Sequence, residues 1–290
     1  MLVVIKGAGD LASGIAFRLW HAGFNIAMTE IAGPLAVRRT VSFSQAVYEG
    51  KTQVEDITAV LAEDEEQMQK AFAKRQIAVF VDPSAQLVKR LKNSGAPPAA
   101  LVDAIMAKKN TGTAIDDAPI VIGIGPGFTA GIDCHAVIET MRGHTLGRVI
   151  TNGGALPNTG IPGEVAGFTG ERLLRCGADG TFQALVEIGS VVKKGDVAAL
   201  VKVEQPAALV KAGKLPVALD QSAAADVPVC AGIDGIVRGL LPSGIQVTRG
   251  LKAGDIDPRC EASHCFTVSD KALAIGGGAL EAVLRFMPIA

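Results

Sequence analysis

The apolar positions of this chain follow two different periods, and the change from one to the other divides it. Residues 2–5 form an unbroken apolar run, after which Leu11, Ile15 and Leu19 recur at helical spacing. The run "NIAMTE" follows at residues 25–30. Further apolar runs near 77–82 and 100–105, with helical patterns near 56–74 and 84–93, complete an alternation of strand and helix. Alternation of that kind predicts a parallel sheet covered on both faces, a Rossmann-like α/β domain over residues 1–115. From about Asp116 the chain turns to short β-prone runs rich in glycine and proline, which predicts a β-rich region over 116–260. Ser269 and Asp270 then open a last helical pattern, interrupted by Gly276, Gly277 and Gly278. The spacing predicts a segment, 261–290, that packs back on the first domain. Three glycines in one helix each cost about 1 kcal/mol against alanine, which points to close backbone approach by a ligand or another segment.

Glycine punctuates the first strand–helix junction. Gly7-Ala8-Gly9-Asp10-Leu11-Ala12 lies between strand and helix, Gly14 follows one turn later, and Glu30 stands about twenty residues on, at the end of the second strand. A turn of this type brings backbone N–H groups and a helix N-terminus to a phosphate, and an acid at the second strand end meets a ribose. Gly7, Gly9, Asp10, Gly14 and Glu30 are therefore candidate nucleotide ligands. Asp10 places a carboxylate where phosphate would arrive, which reads either as a helix cap or as a contact through metal or water. A plain tight turn is the competing reading. Arg38 and Arg39 offer either phosphate contacts or a solvated edge. "VIGIGPGFTAG" holds a second glycine-rich loop, and Gly123, Gly125 and Gly127 are candidates for a second anion nest.

Reactive side chains are densest in "GIDCHAVIETMRGHTLG". Cys134 and His135 are the candidate catalytic pair: neighbouring cations and a helix or nest of amides would lower the thiol's pKa and give a nucleophilic thiolate, although neighbours on a strand face opposite ways. A packed, inert Cys134 is the alternative. Arg259, beside Asp257, offers either a phosphate contact or an ion pair. Cys260, His264 and Cys265 lack the paired spacing of a structural zinc site, so no metal site is expected.

Within the β-rich region "EIGSVVKKGDVAALV" and "LPSGIQVTRGLKAGDID" share glycine and β-branched spacing, each reading as strand, tight turn, strand, while "PVCAGIDGIVRGLL" reads as a hairpin turning at Asp234-Gly235. The arrangement resembles the barrel-sandwich hybrid modules of biotinyl and lipoyl domains over residues 185–257. No carrier lysine motif is present there; the corresponding region holds "KVEQPAALVKAGKLPVALDQSAAAD".

Charge narrows the partners. The 28 basic and 29 acidic residues nearly cancel, and a single Trp and a single Tyr leave little for base stacking, so no nucleic-acid partner is expected. The first apolar run stops too early for a signal peptide, and none later is long enough for a bilayer, so a cytoplasmic protein without membrane contact is expected. Five scattered cysteines without C-x-x-C fit free thiols in a reducing compartment.

Taken in order, "KGAGDLASGIAFRLWHAGF", "VDAIMAKKNTGT", "VIGIGPGFTAGIDCHAVIETMRGHTLGRVI", "PNTGIPGEVAGF", "GDIDPR" and "SDKALAIGGGALEAVL" resemble the YqeB-like proteins of the selenium-dependent molybdenum hydroxylase system. The resemblance implies an accessory protein in maturation of a molybdenum hydroxylase, its partner, with a first domain similar to the XdhC-type maturation factors. It also implies a nucleotide or molybdopterin-type ligand and delivery of sulfur or selenium. An NAD(P)-dependent oxidoreductase and a non-catalytic docking scaffold are the alternatives.

Overall fold

The computed structural model describes residues 1–160, 163–203 and 226–288, so most of the insert after Lys202 lies outside the described residues. The chain divides into two compact units, residues 1–163 with 263–290, and residues 164–262.

The first unit opens with β1 (Leu2–Lys6), α1 (Asp10–His21) and β2 (Asn25–Glu30), then α2 (Ala46–Glu49), β3 (Lys51–Val54) and β4 (Ile57–Leu61). It continues through α3 (Glu65–Ala73), β5 (Ile77–Val81), α4 (Gln86–Asn93), β6 (Ala100–Asp103), β7 (Val121–Ile124), β8 (Ala136–Ile138) and β9 (Val149–Ile150). Its nine strands make one sheet in the order β3-β4-β5-β2-β1-β6-β7-β8-β9. The seven inner strands are parallel, while β3 and β9 pair antiparallel at the two edges. The inner strands are almost wholly buried, as continuous apolar runs require when helices cover both faces.

The helix predicted near 56–74 is two elements. Residues 57–61 include three β-branched side chains, Ile57, Thr58 and Val60, and pair with β3, whereas the helix starts only where Asp64 accepts from the Gln67 N–H, 2.8 Å. The expected boundary after residue 115 falls between β6 and β7, which lie side by side in parallel.

The second unit contains β10 (Leu173–Arg175), β11 (Gly180–Ala184), β12 (Val191–Val192), β13 (Val197–Lys202), β14 (Val227–Cys230), β15 (Gly235–Leu240), β16 (Gln246–Val247) and β17 (Lys252–Asp257). They form two four-stranded antiparallel sheets, β10-β17-β15-β12 and β14-β13-β11-β16. The hairpin expected at Asp234-Gly235 is absent: β14 pairs with β13 in one sheet and β15 with β12 and β17 in the other. The two neighbouring turns tie together instead, because the Gly195 N–H donates to the Ala231 carbonyl, the Ala231 N–H to that of Asp196, and the Lys194 N–H to the Asp234 carboxylate. Each strand–turn–strand repeat thus hands the chain from one sheet to the other.

These topologies correct the fold class expected above. A Rossmann-like domain ending near residue 115 and followed by a barrel-sandwich module is replaced by a mixed, nine-stranded sheet with antiparallel edges, plus two antiparallel four-stranded sheets. Runs of apolar residues specify strands but not which neighbour each strand takes, and the correction lies in the pairing.

Asp257 ends β17 almost fully buried, hydrogen-bonded by the Arg259 guanidinium at 2.6 and 2.9 Å, with Arg238 at 3.8 Å. Burial opposes its ionisation, but the hydrogen bonds and charge of Arg259, with Arg238 behind them, outweigh burial and hold the carboxyl down at about 2. A depressed carboxylate stabilises the fold above its unfolded value near 3.8, and that contribution is lost as pH falls toward 2. Amides of β15 and β17 should therefore lose hydrogen-exchange protection over that window. An Asp257→Asn variant with an unchanged pH profile would contradict this.

The chain closes with α5 (Asp270–Phe286), which returns to the first unit and lies on α1. No helix among the described residues is long and apolar enough to cross a membrane.

Candidate functional site

The C-terminal ends of β1, β2 and β6 open onto a cavity of about 470 Å³. Gly7, Gly9, Asp10, Glu30, Ile31, Leu35, Met106, Lys108 and Thr111 are among the residues lining it. Gly7 makes the turn possible: its φ is +91°, and a Cβ there would stand 3.0 Å from the Ala104 carbonyl oxygen, so a side chain is excluded on both counts. Gly9 is different. It is the N-cap of α1 in extended conformation, and a Cβ there would meet nothing within 4 Å. Space, not a neighbouring segment, lies against Gly9, and the first turn of α1 leaves N–H groups without intrahelical acceptors beside that space.

Glu30 holds the turn in shape. Its Oε2 accepts from the Ala8 N–H and its Oε1 from the Ile31 N–H, both at 2.9 Å, so the carboxylate is fixed at the cavity edge. Asp10 accepts from the Leu11 N–H through Oδ1, while its Oδ2 lies 3.6 Å from Nη1 of Arg38. The carboxylate that stood against a phosphate site is thus balanced by a buried guanidinium. Arg38 itself is neither a free phosphate ligand nor a solvated edge: Nη2 donates to the carbonyls of His264 and Thr267. Ser13 completes the support, its hydroxyl donating to the Ala8 carbonyl and accepting from the Phe43 N–H.

Behind the cavity lies a buried cluster with no counterpart among the sequence candidates. Lys6 Nζ is 3.0 Å from Asp103 Oδ2 and 2.6 Å from Thr113 Oγ1, which in turn donates to Asp103 at 2.5 Å. Asn110 orders the same loop by accepting from the N–H groups of Gly112 and Thr113. The cluster fixes both ends of residues 104–113, the segment that carries Met106, Lys108 and Thr111 into the cavity. The available signal was a single lysine ending an otherwise apolar strand.

Several expected ligands are elsewhere. Gly14 faces α5, where a Cβ would fall 2.5 Å from that of Ala272; it admits a helix rather than a cofactor. Gly123, Gly125 and Gly127 do not line the cavity. Their missing side chains make room for Phe128, for Thr140 and for the backbone of Lys108 and Lys109 respectively, so this loop packs against the chain and not around an anion. Arg259 belongs to the second unit and is engaged by Asp257.

Cys134 and His135 do not form a catalytic pair. Cys134 is fully buried, and burial foremost pushes its thiol up to about 11, assisted by the charges of Asp133 and Asp103. The Nδ1 of His135 accepts from the Val121 N–H at 3.0 Å and its ring packs on Phe286. Both serve the packing around β7 and β8.

No family model matches the sequence. Solved structures similar to it include the product-bound ectoine utilization protein EutE (DoeB) from Ruegeria pomeroyi, 14% identical, covering 80% of this chain and 57% of that one, TM-score 0.22. An aspartoacylase family protein from Mesorhizobium loti is 13% identical, covering 88% and 83%, TM-score 0.27. Overlap this low transfers neither fold detail nor chemistry. In sequence, the chain is 46% identical over 286 residues to the uncharacterized protein YqeB of Escherichia coli (strain K12), covering 99% of this chain and 48% of that protein. It therefore spans about half the length of the curated relative it matches, and over that half it is similar to YqeB.

Proposed function

We propose that the cavity at the β1–α1 turn binds a phosphate-bearing ligand of the nucleotide or molybdopterin type, and that the protein acts through it as an accessory factor in maturation of a molybdenum hydroxylase. The open space against Gly9, at the N-terminus of a 12-residue helix, is the observation that carries the binding reading. Lys108 adds a cation at the rim, and Ile31, Leu35 and Met106 add apolar surface suited to a flat ring. Glu30 suits a hydroxyl-bearing group, its carboxylate being already oriented by two backbone donors. The maturation role rests on the motif resemblance given above. Delivery of sulfur or selenium is not assigned to Cys134, whose thiol is buried and protonated.

The test is a comparison of small molecules released from freshly purified wild type and from Gly9→Val. Because a Cβ at Gly9 meets no protein atom, the variant should fold normally while its side chain fills the phosphate position. Wild type should release a phosphate-bearing heterocycle that the variant lacks, and the variant should fail to support hydroxylase activation. Equal ligand content in the two proteins would refute the site.

A further inference from the structure

Lys108 joins the cavity to a second segment of the first unit. It lines the cavity from the loop between β6 and β7, yet its Nζ reaches Asn158, which is not among the lining residues. In the amide orientation that satisfies both neighbours, Asn158 Oδ1 accepts from Lys108 Nζ and from the Gly160 N–H, each at 3.3 Å. Lys108 makes no ion pair among the described residues, and the two carboxylates of the cavity are engaged elsewhere, Asp10 by Arg38 and Glu30 by two backbone N–H groups. The side chain of Lys108 is exposed, but its backbone is fixed. Met106 and Lys108 both hold left-handed backbone, at φ +62° and +61°, a strained state that persists only where the surroundings impose it. Gly127 supplies the constraint: its backbone packs so closely that a Cβ there would stand 2.5 Å from the Lys109 Cα and 2.9 Å from the Lys108 carbonyl carbon.

We propose that Lys108 grips the anionic group of the cavity ligand, and that Asn158 is its positioning residue, holding the ammonium at rest until the ligand takes it over. The inference rests on the cavity reading, and adds to it the residue that selects charge and the segment that responds. Arg38 offsets Asp10, but Glu30 leaves the cavity a net negative charge, so an anion at the N-terminus of α1 needs an opposing cation. Lys108 is the only cation among the described residues that line it. The exchange favours the ligand. An amide oxygen at 3.3 Å is a distant, exposed acceptor, whereas an ionised phosphoryl oxygen takes a shorter hydrogen bond, about twice as strong. Because the backbone is clamped, the move is a rotation of the lysine side chain alone. Its other consequence falls on residues 152–160. That segment is tied at Gly153, whose carbonyl accepts from the Ala130 N–H at 2.8 Å, and at Leu156, whose N–H donates to Glu139 at 2.9 Å. Asn158 ties its far end to the cavity loop. Filling the cavity removes that last tie and leaves the other two, so the response is confined to residues 158–160.

The experiment is calorimetric binding of ADP, with adenosine as its uncharged counterpart, to the full chain and its variants, together with hydrogen exchange of residues 152–160. Lys108→Met should weaken ADP binding about tenfold or more and leave adenosine unchanged, and Lys108→Arg should restore much of the loss. Lys108→Gly relieves the left-handed backbone, so it should melt no lower than wild type while losing ADP as Lys108→Met does. Asn158→Ala removes the competing acceptor and should tighten ADP about two- to threefold without changing adenosine. ADP should speed exchange at 158–160 in wild type and have no effect there in Lys108→Met. Equal ADP affinity in wild type and Lys108→Met, with ADP lost in Gly9→Val, would leave the cavity standing and overturn this inference. Equal ADP affinity in wild type and Gly9→Val would remove both. Weaker ADP binding in Asn158→Ala, unchanged exchange at 158–160, or ADP bound no better than adenosine would also overturn the proposal.

Discussion

Replacing Lys6 by Met should destabilise the first unit by about 3–5 kcal/mol, because it leaves the Asp103 carboxylate buried without its cation. Asp103 is 1% exposed and Lys6 7%, so neither has water to fall back on. Coulomb attraction in such a setting does not have to exceed the desolvation already incurred for this to hold; the loss follows from stranding one charge. The double variant Lys6→Met with Asp103→Leu should accordingly be less destabilised than either single variant, leaving mainly the Thr113 hydroxyl short of its partners. Urea unfolding of the full chain, followed by exchange at β1 and β6 amides, measures this. Additive losses in the double variant would show that the three side chains are not one unit. A second consequence separates loop from core: residues 104–113 should lose protection before the strands do, since the cluster ties their ends to Lys6.

Part of this architecture is legible in the sequence, and the limit is physical. Strands β1, β5 and β6 are largely apolar runs and β2 has an apolar centre, Ile26 to Met28, and the positions of Gly7, Gly9 and Glu30 around one cavity follow from spacing along two adjacent elements. What fails are statements about partners distant in sequence. Gly14, Gly276 and Gly278 are the same phenomenon: Gly276 lies on the Gly14 carbonyl, Gly278 on that of Gly147, and Gly14 on Ala272, while a Cβ at Gly277 would meet nothing within 4 Å. A glycine in a helix can mark a close approach, but only the fold says whether anything approaches and whether it is ligand or backbone. The sheet-switching repeats of the second unit mislead for a related reason, since a tight turn between two strand-like runs does not require that they pair. Lys6 and the pair Asp103 and Thr113 stand in two separate quoted motifs, and nothing in either motif says that the three side chains meet.

Alkylation of the native protein should modify Cys230 and Cys260 first and Cys134 last. Cys230 and Cys260 are exposed, whereas Cys134, Cys176 and Cys265 are buried. The reacting species is the thiolate, and a thiol at about 11 is ionised to roughly one part in ten thousand at pH 7. A free model thiol is ionised to a few per cent there, so ionisation alone slows Cys134 by a factor on the order of a hundred. Burial adds a second barrier, because iodoacetamide must wait for β7 and β8 to part, and these are inner strands of the parallel block. Raising the pH should therefore accelerate Cys134 much less than its ionisation predicts, while urea near the unfolding midpoint should accelerate it greatly. Cys134→Ala should leave any ligand-dependent activity intact and cost stability only through the small cavity it leaves. Native labelling of Cys134 as fast as that of the exposed thiols, or loss of hydroxylase activation in Cys134→Ala with binding and folding preserved, would return the thiol to the mechanism.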